Sequence, residues 1–138
     1  MPEQTQQFTY SLRVFYEDTD AGGIVYYANY LKFAERARTE WLRELGINQS
    51  YFLEQNLAFV VRNVEMDNKA SAKLDDLLTI KTSITSLKKA SLVFNQQIFN
   101  QHSQLLCEVK VLIASVNLQA GKPCAIPKTI LGALNSAR

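Results

Sequence analysis

One helical stripe sits in a chain that otherwise alternates, and that contrast restricts the folds open to it. Tyr30, Phe33, Ala34, Ala37, Trp41 and Leu45 recur at spacings of three and four, with Lys32, Glu35, Arg36, Arg38, Glu40 and Arg43 on the other faces. This is the period of an amphipathic helix, beginning at about Tyr27. Gly46 is placed to stop it, and Asn48 to cap a shorter helix from Gln49 to about Asn56. Period two governs most of the rest. Phe8, Tyr10, Leu12, Val14 and Tyr16 alternate with mostly polar neighbours, as do Leu78 to Ile84, Leu92 to Ile98 and Leu105 to Ile113, while Leu57 to Asp67 is β-branched and partly alternating. One long helix and several strands, each with a single apolar face, cover one another most economically. The expected class is therefore α+β, an antiparallel sheet of about five strands wrapped around one long central helix. Lys88-Lys89-Ala90 and Asn100 to Ser103 suit hairpin links, and Ile130, Leu131 and Leu134 predict a short closing helix.

Length and composition set the outer limits. A chain of 138 residues is near the usual size of one domain, so residues 1–138 are expected to form a single unit. An apolar fraction of 47% with 20% charged residues is that of an ordinary globular protein. The net charge of +2, spread along the chain, argues against a nucleic-acid partner. The opening residues lack the basic and apolar blocks of a signal peptide, and no run is long and apolar enough to span a bilayer, so a cytoplasmic location is expected. Cys107 and Cys124 form no CxxC pair and are expected to be free thiols.

The chemistry concentrates between Glu17 and Tyr30. Asp18 and Asp20, one residue apart, lead into Gly22-Gly23 and then into the long helix. Such an order sets an acid side chain beside a helix N-terminus, whose unpaired N–H groups and positive dipole end stabilise a developing oxyanion. Asp20 and the backbone at Tyr27 are the candidate pair. Two plainer readings exist for the acids. Asp and Gly are common turn formers. Asp-x-Asp also opens a calcium loop, but here the fifth position is Gly22 and the twelfth is Asn29 where Glu is required, so no metal is expected.

The stretch Asp-Thr-Asp-Ala-Gly-Gly-Ile-Val-Tyr-Tyr-Ala-Asn-Tyr resembles the signature of the hotdog-fold acyl-CoA thioesterases of the 4-hydroxybenzoyl-CoA thioesterase superfamily. The continuation through Leu31 to Arg43, with Ala58 to Arg62, Leu74-Asp75-Asp76 and Ala125 to Lys128, is closest to the branch associated with the Tol-Pal envelope system. The resemblance covers nearly the whole chain. It implies that Asp20 is the catalytic carboxylate and that Tyr27 donates its backbone N–H to the thioester carbonyl. The Tol-Pal branch usually has His at the position of Tyr27, while the hydroxybenzoyl branch has Tyr. A backbone donor is indifferent to that change. Lys88, Lys89 and Ser91 match the basic turn that contacts the nucleotide in the hydroxybenzoyl branch, with Arg62, Lys122 or Lys128 as further cations. Cys124 stands where the closer branch has Arg. The resemblance also implies a homodimer or tetramer in which a neighbour completes each site, an acyl-CoA substrate, and no cofactor.

Those residue types suit thioester cleavage. The leaving thiol has a pKa of about 8.5, so it departs as thiolate without a strong acid, and a catalytic His is dispensable. Asp20 serves either as nucleophile, forming an anhydride, or as general base toward water. Asn29 is a candidate to orient that water, and Gly22 and Gly23 to let substrate approach the backbone. Asp18 is read as a brace, and Glu35 as paired with Arg36 or Arg38. The one histidine, His102, reads as an exposed hairpin tip, which argues against dehydratase chemistry. A different functional class, a non-catalytic scaffold for acyl carrier protein or envelope partners, is disfavoured by the intact acid and glycine turn.

Overall fold

The computed structural model describes residues 6–138. Five main strands form one antiparallel sheet: β1 (Phe8–Arg13), β2 (Leu57–Asn68), β3 (Leu77–Leu87), β4 (Ser91–Phe99) and β5 (Leu105–Asn117), in the order β1-β3-β4-β5-β2. A two-residue strand, β6 (Lys122–Pro123), pairs with the end of β5 and was not legible as a strand. The central helix α1 (Asn29–Glu44) lies across one face, followed by α2 (Gln49–Glu54), and α3 (Lys128–Ala137) closes the chain. The fold is the expected α+β hotdog arrangement.

The apolar stripe of α1 explains why the sheet curls around it. Tyr30, Phe33, Ala34, Ala37 and Trp41 are buried against Leu78, Ile80, Ile84, Leu92, Phe94 and Ile98, which share one face of β3 and β4. Each large side chain removed from water contributes about 1.5–3 kcal/mol. Trp41 stacks on Phe8 at 5.9 Å and meets the edge of Phe94 at 6.1 Å, tying the C-terminal half of the helix to β1 and β4. Helix ends follow the local chemistry. Gly46 adopts φ +80°, its N–H bonds Arg43 and the Ile47 N–H bonds Leu42, which satisfies the last carbonyls in a Schellman motif. Asn48 caps α2 by accepting from the Tyr51 N–H at 3.2 Å.

Several expectations shift. β1 stops at Arg13 and does not reach Tyr16, because residues Tyr16–Asp18 form a 3-10 turn that the Asp18 carboxylate holds through the Phe15 N–H. The helix begins at Asn29, with Tyr27 in the turn before it. In β2 the register slips between Val61 and Asn63, leaving Arg62 as a bulge residue. That slip explains the imperfect alternation of this run. Of the two ion pairs that the spacing on α1 allows Glu40, that with Arg43 forms and that with Arg36 does not; Glu35 accepts from the Thr39 hydroxyl at 3.0 Å and makes no ion pair with Arg36 or Arg38.

One polar network crosses the core. Gln96, fully buried on β4, accepts from Arg38 Nη1 at 2.9 Å and donates to the Ala34 carbonyl at 2.8 Å and to Thr82 Oγ1 at 3.0 Å. Its side chain therefore pins the middle of α1 to β3 and β4. Gln96→Leu removes the acceptor of a buried guanidinium, and we expect unfolding free energy in urea to fall by about 2–3 kcal/mol. A change below about half a kcal/mol would show that the network is dispensable.

Candidate active site

The acid-glycine stretch folds into a small hairpin docked on the helix start. Thr19 bridges Val25, the Asp20 N–H bonds the Ile24 carbonyl at 2.9 Å, and the Gly23 N–H returns to the Asp20 carbonyl at 3.0 Å. The tip works because of two different glycine requirements. Gly23 has φ +77°, a left-handed conformation that side chains rarely tolerate. Gly22 has ordinary φ but donates its N–H to Asp20 Oδ1 at 2.8 Å, and a Cβ there would sit 3.3 Å from that same oxygen. One oxygen of Asp20 is thus held and the other is left open on an exposed turn.

Asp18 is the buried member of the pair, 7% exposed. Its Oδ1 accepts from Asn29 Nδ2 at 2.8 Å, and its carbonyl accepts from the Tyr26 N–H at 3.2 Å. Asn29 is itself buried, with its amide nitrogen given over to Asp18. The contact it makes is a brace between hairpin and helix, which differs from the water-orienting role expected of it. A second brace comes from Tyr30, whose hydroxyl accepts the Ala72 N–H at 2.9 Å and whose burial raises its pKa.

The amides at the helix start are distributed unusually. Asn29, Tyr30 and Leu31 donate to the carbonyls of Tyr26, Tyr27 and Ala28, so the first helical residues keep no free donor. The unpaired N–H groups are shifted outward to Tyr27 and Ala28, neither of which has an acceptor among the described residues. Tyr27 was expected; Ala28 was missed, since pattern alone does not reveal a tightened first turn. The Tyr27 ring is exposed and packs on Tyr26 at 4.9 Å.

The remaining candidates lie elsewhere. Asp20 sits beside the loop before β3, where Ile24 bridges Lys73. Lys88 and Lys89 stand at the opposite end of β3, in the turn closed by the Lys88 N–H to the Ser91 carbonyl at 2.8 Å. Ten residue steps of β3 separate the two ends, a span of about 33 Å. Within one chain, then, Asp20 and the basic turn are not brought together. Lys88 and Lys89 are instead joined by Lys128 around a groove of about 490 Å³ floored by Leu87 and Leu131. Arg62 is exposed on the β2 bulge, level in the sheet with Leu92 and Val93 two strands away, through Ile113 and Leu112 of β5. His102 is exposed at its hairpin tip, Cys107 is buried with its thiol pKa pushed up to about 11, and Cys124 is a free thiol.

A turn this specific predicts its own sensitivity. Gly23→Ala forces a Cβ into the left-handed region, costing about 1–2 kcal/mol. We expect a modest drop in melting temperature and a larger loss of thioester cleavage, because the strained tip carries Asp20. Activity that falls only in step with folded fraction would refute the link.

Comparisons with known proteins converge. A model of the thioesterase-like superfamily matches residues 14–134. The acyl-CoA thioester hydrolase YbgC of Escherichia coli O6:H1 is 48% identical over 127 residues, which cover 92% of this chain and 95% of that protein. The acyl-CoA thioesterase YbgC of Helicobacter pylori is 36% identical, with 90% and 97% covered. Among solved structures, a probable thioesterase from Bartonella henselae superposes with a TM-score of 0.81 at 41% identity, covering 88% of this chain and 99% of the other.

Proposed function

The chain belongs to the thioesterase-like superfamily, and on that premise we propose that it hydrolyses an acyl-CoA thioester to a carboxylic acid and free coenzyme A. The observation that carries the reading is the pair of unpaired amides at Tyr27 and Ala28 beside a hairpin that holds Asp20 by one oxygen. The amides stabilise the oxyanion that forms as the thioester carbonyl is attacked. Asp20 supplies the attack, through its free oxygen as nucleophile or by taking a proton from water. Asp18 and Asn29 are positioning residues that fix hairpin to helix. The test is thiol release from a panel of short, long and aromatic acyl-CoAs, with acyl carrier protein thioesters included. A burst of thiol stoichiometric with enzyme would identify the anhydride route.

A second copy is part of this reading. β2 is an edge strand of twelve residues, with Val60, Val61 and Val64 exposed on it. Long apolar edges pair readily with another strand. Antiparallel pairing of β2 with its own copy about a two-fold axis reverses the partner end for end, bringing the partner's basic turn toward this chain's Asp20. Lys88, Lys89 and Ser91, with Lys128, would then bind the coenzyme's phosphates across the interface, and Arg62 would lie near the axis. No helix among the described residues is long and apolar enough to cross a membrane. A coenzyme A thioester substrate and free thiols accord with a cytoplasmic enzyme.

A further inference from the structure

Arg38 is a charged side chain held in the core, and the reaction as described does not use it. It projects from the middle of α1, is 9% exposed, and burial lowers its pKa, with Glu35 acting in the opposite sense. No carboxylate forms an ion pair with it among the described residues. Its one protein partner is the neutral Gln96, through Nη1. Every fully buried side-chain nitrogen or oxygen that is described has a hydrogen-bond partner. Nε and Nη2 of Arg38 have none, so they must retain surface of their own.

Arg38 lines a groove of about 520 Å³ between α1 and the edge strand, walled by Leu31 and Val111 and by Val61 and Val64 of the β2 edge, so in the paired assembly described above the groove lies beside the seam between the two copies. Its charged groups are Lys32, Glu35, Arg36 and Arg38, three cations against one carboxylate. The lone carboxylate is already engaged by Thr39. A narrower cavity of about 110 Å³, lined by Phe59, Phe94 and Ile113, continues beyond Arg38 and shares Glu35, Arg38 and Val61 with the groove. The groove begins at Leu31, one turn from the unpaired amides. The nine steps from Asn29 to Arg38 put the latter about 14 Å along the helix. Side chains lean toward the helix N-terminus, which shortens that reach.

An apolar groove whose helical wall runs from Leu31, one turn beyond the unpaired amides, to a guanidinium bonded through one nitrogen only suits a chain that is apolar along its length and anionic at its far end. Resting on the thioesterase reading, we infer that the preferred acyl group is an ω-carboxyacyl chain of medium length, whose terminal carboxylate is received by Arg38 Nε and Nη2. Lys32 and Arg36 are exposed and well solvated, and they add attraction without geometry. Arg38 has a fork already fixed by Gln96, and a carboxylate is the acceptor that matches it bidentately.

The experiment compares kcat/KM for two series of CoA thioesters of matched chain length, one ending in methyl and one in carboxylate. Wild type should favour the carboxylate series at one intermediate length and lose the preference when the chain is too short to reach. Arg38→Met should lower the carboxylate-to-methyl ratio at that length by about tenfold or more, mainly through KM, and Arg38→Lys should restore part of it. Equal rates for the two series at every length in wild type, or a ratio unchanged in Arg38→Met, overturns the inference and leaves the thioesterase reading intact. A parallel loss of both series with dissociation of the oligomer means that the guanidinium serves a second copy, which also overturns it. If neither series is cleaved by wild type, both readings fail together. Should Arg38→Met not fold, the wild-type length profile decides alone.

Discussion

Asp20→Asn should lower thiol release from the best acyl-CoA by about 10²- to 10⁴-fold while leaving the melting temperature nearly unchanged. The two halves of that result have separate causes. Asn keeps an oxygen that accepts the Gly22 N–H, so the hairpin tip retains the bond that the native carboxylate makes at 2.8 Å. What it lacks is the anionic second oxygen, needed either to attack the thioester or to take a proton from water. Asp20→Ala is the harsher variant, losing both the turn bond and the chemistry, and should fall at least as far in activity with a measurable loss of stability. The informative comparison is therefore between the two variants. If Asp20→Asn keeps wild-type rates while Asp20→Ala does not, Asp20 is a turn former and the acid must be sought elsewhere. Asp18 offers no easy substitute. Its oxygens are taken up by the Phe15 N–H and by Asn29, inside the fold.

The features legible in the sequence are those set within a few residues of one another. The helix stripe, the Gly46 stop and the Asn48 cap each depend on spacings of one to five positions, and each appears in the fold. Strand alternation was readable where one face is buried, as in β4, and blurred in β2, where a bulge shifts the phase at Arg62. Links across long separations were not legible. Gln96 on an apolar face has no local rationale; it needs Arg38, 58 positions away, and the Ala34 carbonyl, 62 away. The same limit applies to Glu35, where proximity on the helix suggested an ion pair and the nearer hydroxyl of Thr39 took the contact. For the site, residue types and order identified the acid, the glycine pair and the helix start. Their distance from Lys88 and Lys89 is a property of tertiary docking, since the hairpin joins the loop before β3 through the Ile24–Lys73 bridge while the basic turn follows the far end of that strand.

Tyr27→Pro tests the backbone half of the site, and its expected cost is about 10²- to 10³-fold in kcat, the usual consequence of removing one oxyanion donor. Proline deletes an N–H that has no acceptor among the described residues, so no internal hydrogen bond is lost with it. The side chain is controlled by Tyr27→Phe, which should stay within a few-fold of wild type, because the exposed phenol interacts only with the likewise exposed hydroxyl of Tyr26 among the described residues. Ala28→Pro adds a second control. Its φ of −67° already suits proline, and its N–H is the other unpaired donor. A proline also biases the preceding residue toward extended backbone, so each variant needs its melting temperature measured beside its rate. With both proline variants folded, a large loss at Tyr27 and a smaller one at Ala28 assigns the main donor to Tyr27, and the reverse order assigns it to Ala28. Equal losses in Tyr27→Phe and Tyr27→Pro would place the function in the phenolic hydroxyl, and the helix start would then be only a scaffold for it.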